Sequence, residues 1–171
     1  MTTRVTAPVL GIALLVALAG CATPDAPEPT PTTPFASEEE AFAAAEETYR
    51  AYVDALNAKR EDSTAKDPQE FLTGKALEAD LDTRRMLDES NLHVVGPNVL
   101  TSFEAEYASE DFHRVDAVIC IDASGSQVMN EEGSIVTPAD RDASIALDVT
   151  LRLTGGSFTI SESAVSQDRT C

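Results

Sequence analysis

Helical spacing and strand alternation occupy separate stretches of this chain, and that segregation leaves few architectures open. The helical part comes first. Ser37 and Glu40 form an S-x-x-E capping box. Phe42, Ala45, Tyr49, Tyr52, Val53 and Leu56 then recur at helical spacing. Glu38, Glu39 and Glu40 fall in the first turn and Lys59 and Arg60 in the last, as the helix dipole favours. Asp67-Pro68 is a cap followed by proline at the first helical position. The spacing predicts a second helix there, opened by Phe71 and Leu72, interrupted at Gly74, striped by Leu77, Leu81 and Leu87, and ended by Ser90-Asn91.

Strand signals fill the rest. Residues 92–95 form a short extended piece that Gly96-Pro97-Asn98 interrupts. Phe103, Ala105 and Tyr107 alternate with Glu104 and Glu106, which predicts a half-buried strand with its glutamates in water. Residues 115–121 turn apolar on both faces, as a central strand does. Ile145, Leu147, Val149, Leu151 and Leu153 give the cleanest alternation. Gly155-Gly156 is a hairpin signal, and Phe158 and Ile160 start the partner strand. Between Asp122 and Asp142 lies a turn-rich excursion with a small hairpin near Glu132-Gly133. Helices followed by a run of antiparallel strands predict an α+β domain over residues 37–171, with the N-terminal helices packed on one face of a curved antiparallel sheet.

The first 36 residues have another character. An apolar run at 7–18 leads into Leu18-Ala19-Gly20-Cys21, and Arg4 is the one charge ahead of it. The run is too short for a spanning helix, which needs about 20 apolar residues, and suits a signal segment. An aliphatic residue, two small residues and a cysteine resemble a bacterial lipobox. That resemblance implies cleavage after Gly20 and a diacylglyceryl group on the Cys21 thiol. Residues 1–20 are then a lipoprotein signal peptide, and Cys21 is the lipidation site that holds the protein to the membrane, on its extracytoplasmic face. An uncleaved membrane anchor is the alternative. Residues 21–36 follow as a spacer in which Pro24, Pro27, Pro29, Pro31 and Pro34 alternate with Thr, Ala and acidic residues. Proline stiffens such a stretch toward extended geometry.

Twelve basic and 30 acidic side chains give a formal net charge of −18. Removing Arg4 with the signal segment leaves 11 against 30, or −19. This surface repels nucleic acid, so no nucleic-acid partner is expected. No calcium-loop pattern, C-x-x-C pair, phosphate-binding glycine loop or Gly-x-Ser-x-Gly elbow occurs. Two histidines, His93 and His113, are too few for a His/Cys metal cage, so no metal and no cofactor is expected. With Cys21 set aside as lipidated, Cys120 and Cys171 remain. An oxidising compartment predicts a disulfide between them, closing a loop of about 50 residues. Two free or buried thiols are the alternative.

The order, length and patterning of residues 35–171 resemble the nuclear transport factor 2-like fold, a cystatin-like cone of sheet around a long first helix. Residues 35–56, Cys120-Ile121-Asp122, the loop 138–141 and Cys171 are also similar to a group of actinobacterial lipoproteins without an assigned activity. The resemblance implies a pocket between helix and sheet. In enzymes of that superfamily a carboxylate base and a tyrosine donor commonly line it, which would make Tyr49 or Tyr52 the donor and Glu104, Glu106 or Asp116 the base. Three readings stay open: a non-enzymatic module that binds an envelope protein or a small apolar molecule, an isomerase- or dehydratase-like enzyme, and an accessory subunit of an envelope complex. The lining of the cone interior separates them.

Overall fold

The computed structural model describes residues 34–171. The signal segment, Cys21 and most of the proline-rich spacer lie outside the described residues. Helix α1 spans Glu38–Glu61, a 3-10 turn spans Pro68–Phe71, and α2 spans Gly74–Glu89. Six strands follow: β1 Leu92–Val95, β2 Val99–Ala108, β3 Arg114–Asp122, β4 Gln127–Asn130, β5 Ser144–Thr154 and β6 Ser157–Val165. Strands β2-β3-β5-β6 form an antiparallel sheet in that order, and β1 pairs with β4 in a separate two-stranded one. The fold is α+β, as the segregated patterns predict.

Helix α1 starts where its capping box places it. Ser37 Oγ accepts from the Glu40 amide at 3.3 Å, and Glu40 Oε2 accepts from the Ala36 amide at 2.7 Å. The reach back goes one residue beyond the cap itself. The buried row is Ala41, Ala45, Tyr49 and Val53, strictly four apart, so α1 meets the sheet mainly through small side chains. Phe42, Tyr52 and Leu56 flank that row and are half-buried. The row joins Val115, Ile119, Leu151 and Ile160 in one apolar cluster, and Ile119, Leu151 and Ile160 have no exposed surface. The space between α1 and the inner sheet face is therefore filled. Phe35 stacks on Phe158 with ring centroids 5.4 Å apart, so packing reaches into residues read from sequence as spacer.

The second helical segment departs from expectation. Asp67 caps only the 3-10 turn, by accepting from the Gln69 amide at 3.0 Å. The chain is then extended at Leu72 and Thr73. There it borders β6: the Thr73 amide donates to the Ile160 carbonyl at 2.9 Å, and Leu72 bridges Ile160 in parallel. Gly74 starts α2 and does not break it. Only Ala76 of α2 is buried, while Leu81 and Met86 are exposed. Thus α2 borders β6 but buries little of its own surface, with Leu77, Asp80, Arg84 and Leu87 half-buried.

Along β2 the alternation fails at a bulge. Ala105 pairs with Ala117 and Tyr107 with Asp116, leaving Glu106 without an opposite residue. The extra residue reverses the phase, so Tyr107 points outward and is 50 % exposed. The strand β3 is central, between β2 and β5. Its inner face carries Val115, Ala117, Ile119 and Ile121, and Arg114, Asp116, Val118, Cys120 and Asp122 lie on the outer face. Gly155 and Gly156 turn the β5–β6 hairpin at φ 62° and 90°. The expected hairpin near Gly133 is present: Asn130 and Ser134 are joined by backbone bonding, and Met129 bridges Ile135.

Cys120 and Cys171 form a disulfide with their Cα atoms 5.7 Å apart. Cys120 lies on the outer face, so the C-terminal residues cross that face as a strap. The Ser166 amide donates to the Ala146 carbonyl at 2.9 Å, and Arg169 pairs with Glu106. Val118 and Ala146 flank Cys120 on this face and are both buried.

Candidate functional site

A groove of about 720 Å3 opens beside α2. It lies between the second half of α1, the length of α2, and β1, with Ser163 of β6 at its inner end. Tyr52, Leu56, Leu87, Leu92 and Val94 give it apolar surface. Lys59, Arg60, Arg84, Asp80, Asp88 and His93 bring the charged and titratable groups.

Backbone bonding fixes the α1 side of this groove. Asn57 Nδ2 donates to the Asn98 carbonyl at 2.8 Å, and Asn57 Oδ1 accepts from the Asn98 amide at 2.9 Å. One turn on, Arg60 Nη1 donates to the Gly96 carbonyl at 2.8 Å. Gly96 has φ 78°, and a Cβ there would stand 2.1 Å from the Gly125 carbonyl oxygen. Only glycine lets the β1–β2 turn press against the turn before β4. Lys59 Nζ closes the helix end by donating to the carbonyls of Ser63 and Ala65 at 2.6 and 3.2 Å.

On the α2 side, Asp80 Oδ2 accepts from Gln69 Nε2 and from Arg84 Nε, each at 2.8 Å. Arg84 also lies 3.6 Å from Asp67. These bonds hold α2 to the 3-10 turn and occupy the half-buried carboxylate of the groove.

The tyrosines named from sequence are neighbours with different surroundings. Tyr49 is 2 % exposed, sits edge-on to Tyr52 at 5.6 Å and tilts against Phe103 at 6.5 Å. Burial pushes its hydroxyl far above the usual tyrosine range, Tyr52 adds to the rise, and a hydrogen bond with Ser163 opposes it. Tyr49 is a core residue. Tyr52 lines the groove. Burial raises its pKa, Asp80 raises it further, and the positive charges of Arg60 and Arg84 pull it back. Its hydroxyl is thus a protonated donor near three charged groups.

Asp116 is not with them. It lies on the outer sheet face, where it accepts from Arg114 Nε at 2.9 Å and from Thr150 Oγ1 at 2.7 Å. The intervening sheet separates it from both tyrosines, so the Tyr-plus-Asp116 constellation does not assemble. Glu104 is also outward, opposite Val118, and Glu106 pairs with Arg169. Of the two carboxylates that do share a groove with Tyr52, Asp88 is exposed near the end of α2, and the one whose charge reaches Tyr52 is Asp80, which sequence reading passed over. Its signal was its position four residues before Arg84 and one helical turn beyond Ala76. His93 is exposed at the groove rim. His113 is exposed in a turn, its Nδ1 2.8 Å from the Asp111 carbonyl. The charged loop 138–142, where sequence predicts a connector with local ion pairs, forms none among the described residues. Arg141 donates instead to the carbonyls of Ala123 and Ser126, each at 2.8 Å. Among the described residues no group of three His, Cys, Asp or Glu side chains stands close enough to hold a metal ion.

No protein-family model matches the chain, and no curated protein matches it. Solved structures do. The intermembrane space region of the chloroplast protein ARC6 is similar over 72 % of this chain and 95 % of its own, at 14 % identity and a TM-score of 0.48. LinA is similar over 75 % and 86 %, at 15 % identity and a TM-score of 0.44. Kfla4162 protein from Kribbella flavida is similar over 78 % and 95 %, at 10 % identity and a TM-score of 0.44.

Proposed function

We propose that this chain is a binding module of the cell envelope, lipid-anchored at Cys21 on the extracytoplasmic face, whose nuclear transport factor 2-like domain takes a small amphipathic molecule in the groove between α1, α2 and β1. One observation carries the reading. The cone interior is filled by the Ala41-Ala45-Tyr49-Val53 row, while the open space lies beside it and is lined by apolar side chains with a few polar groups. Such mixed linings of several hundred Å3 are typical of small-molecule sites. The lipobox at 18–21 and the spacer that follows support delivery to the membrane surface.

The enzymatic reading has one feature in its favour, because Tyr52 and Asp80 line the same groove. Asp80 is a poor base there. Its Oδ2 already accepts two hydrogen bonds, one from Gln69 and one from the Arg84 guanidinium, so that oxygen is engaged within the protein and does not face a substrate freely. The groove therefore supports binding better than proton abstraction.

The test is binding of an environment-sensitive apolar dye to the full chain in membrane nanodiscs, against empty discs. Ala79 is exposed at the groove wall, so Ala79→Trp fills the groove without disturbing the core. Saturable dye binding that Ala79→Trp abolishes supports the reading. Binding that the substitution leaves unchanged places the ligand elsewhere and overturns it.

A further inference from the structure

We propose that the ligand of this groove carries an anionic head, a carboxylate or a phosphate, which Arg60 and Lys59 receive beside the Tyr52 hydroxyl while an apolar tail lies along Leu56, Leu87 and Leu92. The inference rests on the binding reading above and narrows it to one class of amphiphile.

The argument is one of charge placement. Acidic side chains outnumber basic ones 30 to 12 in this chain, yet three of the 12, Lys59, Arg60 and Arg84, line a single groove. Arg84 is neutralised by Asp80 and Asp67. Arg60 has no carboxylate within ion-pair distance among the described residues, and Lys59 forms no ion pair there either, its nearest acidic influence being the exposed Asp62. Their partners are backbone carbonyls: Gly96 for Arg60, Ser63 and Ala65 for Lys59. The remaining acid of the lining, Asp88, is exposed near the far end of α2.

A half-buried guanidinium without a counter-charge is costly, because its water is removed and nothing anionic replaces it. Desolvation lowers the Arg60 pKa, and proximity to Tyr52 only partly offsets that. In a chain with so many carboxylates to choose from, this cation has none beside it among the described residues, and it lines a groove large enough for a ligand. Arg60 is also held in place in advance. Its Nη1 is fixed on Gly96, and the Asn57–Asn98 pair one turn earlier fixes the helix against that turn. Among the described residues one of its five guanidinium donors is used, on Nη1, which leaves Nε and Nη2 for a two-oxygen acceptor. Tyr52 adds a neutral donor. The apolar lining then selects a head attached to a hydrocarbon rather than a bare anion.

The experiment compares three water-soluble probes that share one alkyl chain: octanoate, octyl phosphate and neutral octanamide. Each is titrated into the full lipidated chain in nanodiscs of neutral lipid, with empty discs as the blank. The two anions should bind about tenfold or more tightly than the amide, as one charge-assisted pair contributes. Arg60→Gln should erase that preference and leave octanamide binding unchanged. Arg60→Lys should keep part of it. The ratio of octyl phosphate to octanoate binding then separates a phosphate-headed lipid from a fatty-acid-like source. Equal binding of amide and anions in the wild-type chain overturns the inference and leaves groove binding intact. So does an Arg60→Gln variant that weakens all three probes alike, since that is a structural loss. If none of the three binds, the groove-binding reading fails and takes this inference with it.

Discussion

Asn57 and Asn98 hold each other by two hydrogen bonds, the side chain of the first meeting both backbone groups of the second. The pair fastens the last turns of α1 to the turn between β1 and β2, across 41 residues of sequence. Its two members are not equivalent. Asn57 contributes its side chain, whereas Asn98 contributes its backbone. The Asn98 side-chain Oδ1 is buried without a partner among the described residues.

Unequal costs follow for the two alanine substitutions. Asn57→Ala strands a backbone N–H and a carbonyl and should destabilise the fold by about 1–3 kcal/mol. Asn98→Ala keeps both backbone bonds and removes a buried unsatisfied atom, so it should cost less than Asn57→Ala. Chemical denaturation midpoints of the two variants give the comparison, and a reversed order would refute the assignment.

Reduction or Cys171→Ser should release the strap over the outer sheet face. The loss should not exceed about 4 kcal/mol, the chain-entropy value for a loop of this size. Amides of residues 166–170 should then exchange faster with solvent, while those of β3 stay protected. Two thiols that react in the unfolded protein before any reductant is added would remove the bridge from the structure.

Alkali should unfold the protein through its tyrosines. Burial raises the Tyr49 and Tyr52 pKa values above their unfolded value of about 10. A raised pKa favours the protonated folded form, so stability is complete below about pH 10 and falls as pH rises beyond it. Phenolate absorbance from these two rings should appear together with loss of the fold. Tyr49→Phe removes one of the two titrating hydroxyls and should move that alkaline transition upward. A transition that stays put in both Tyr49→Phe and Tyr52→Phe contradicts this account.

Cys21→Ser should leave the precursor unprocessed, with residues 1–20 still attached. Mass measurement of the membrane-extracted protein decides it. A native chain that retains Met1 to Gly20 and carries no lipid would end the anchoring proposal.

What the sequence made legible followed side-chain periodicity. The capping box at Ser37, the long alternation at 145–153 and the Gly155-Gly156 turn are local signals, and each lies where it was expected. Three things escaped, for physical reasons. The bulge at Glu106 is one unpaired residue that no alternation count registers, and it turned Tyr107 outward. Ala41, which heads the inner row of α1 before Ala45, Tyr49 and Val53, goes unread because one alanine carries little hydrophobic signal, although it is fully buried. Asp116 was placed near the tyrosines because a central strand with both faces apolar does not declare which face is inward. Its groove-side counterpart, Asp80, sits on a helix whose polar pattern reads as a solvated face.

The short extended link at Leu72 and Thr73 has a consequence for how copies of this domain meet. An open sheet offers unpaired backbone at its two outer strands, where another chain can add itself. At the middle of β6 the Ile160 carbonyl is already engaged by the Thr73 amide, and α2 borders the strand beyond it. At β2 the rim is broken by two irregularities and lined with Glu104 and Glu106. Neither border is a template for strand addition. Many copies crowded together should therefore remain separate particles, and Thr73→Pro, which deletes the donor at β6, should be the change that starts them joining edge to edge.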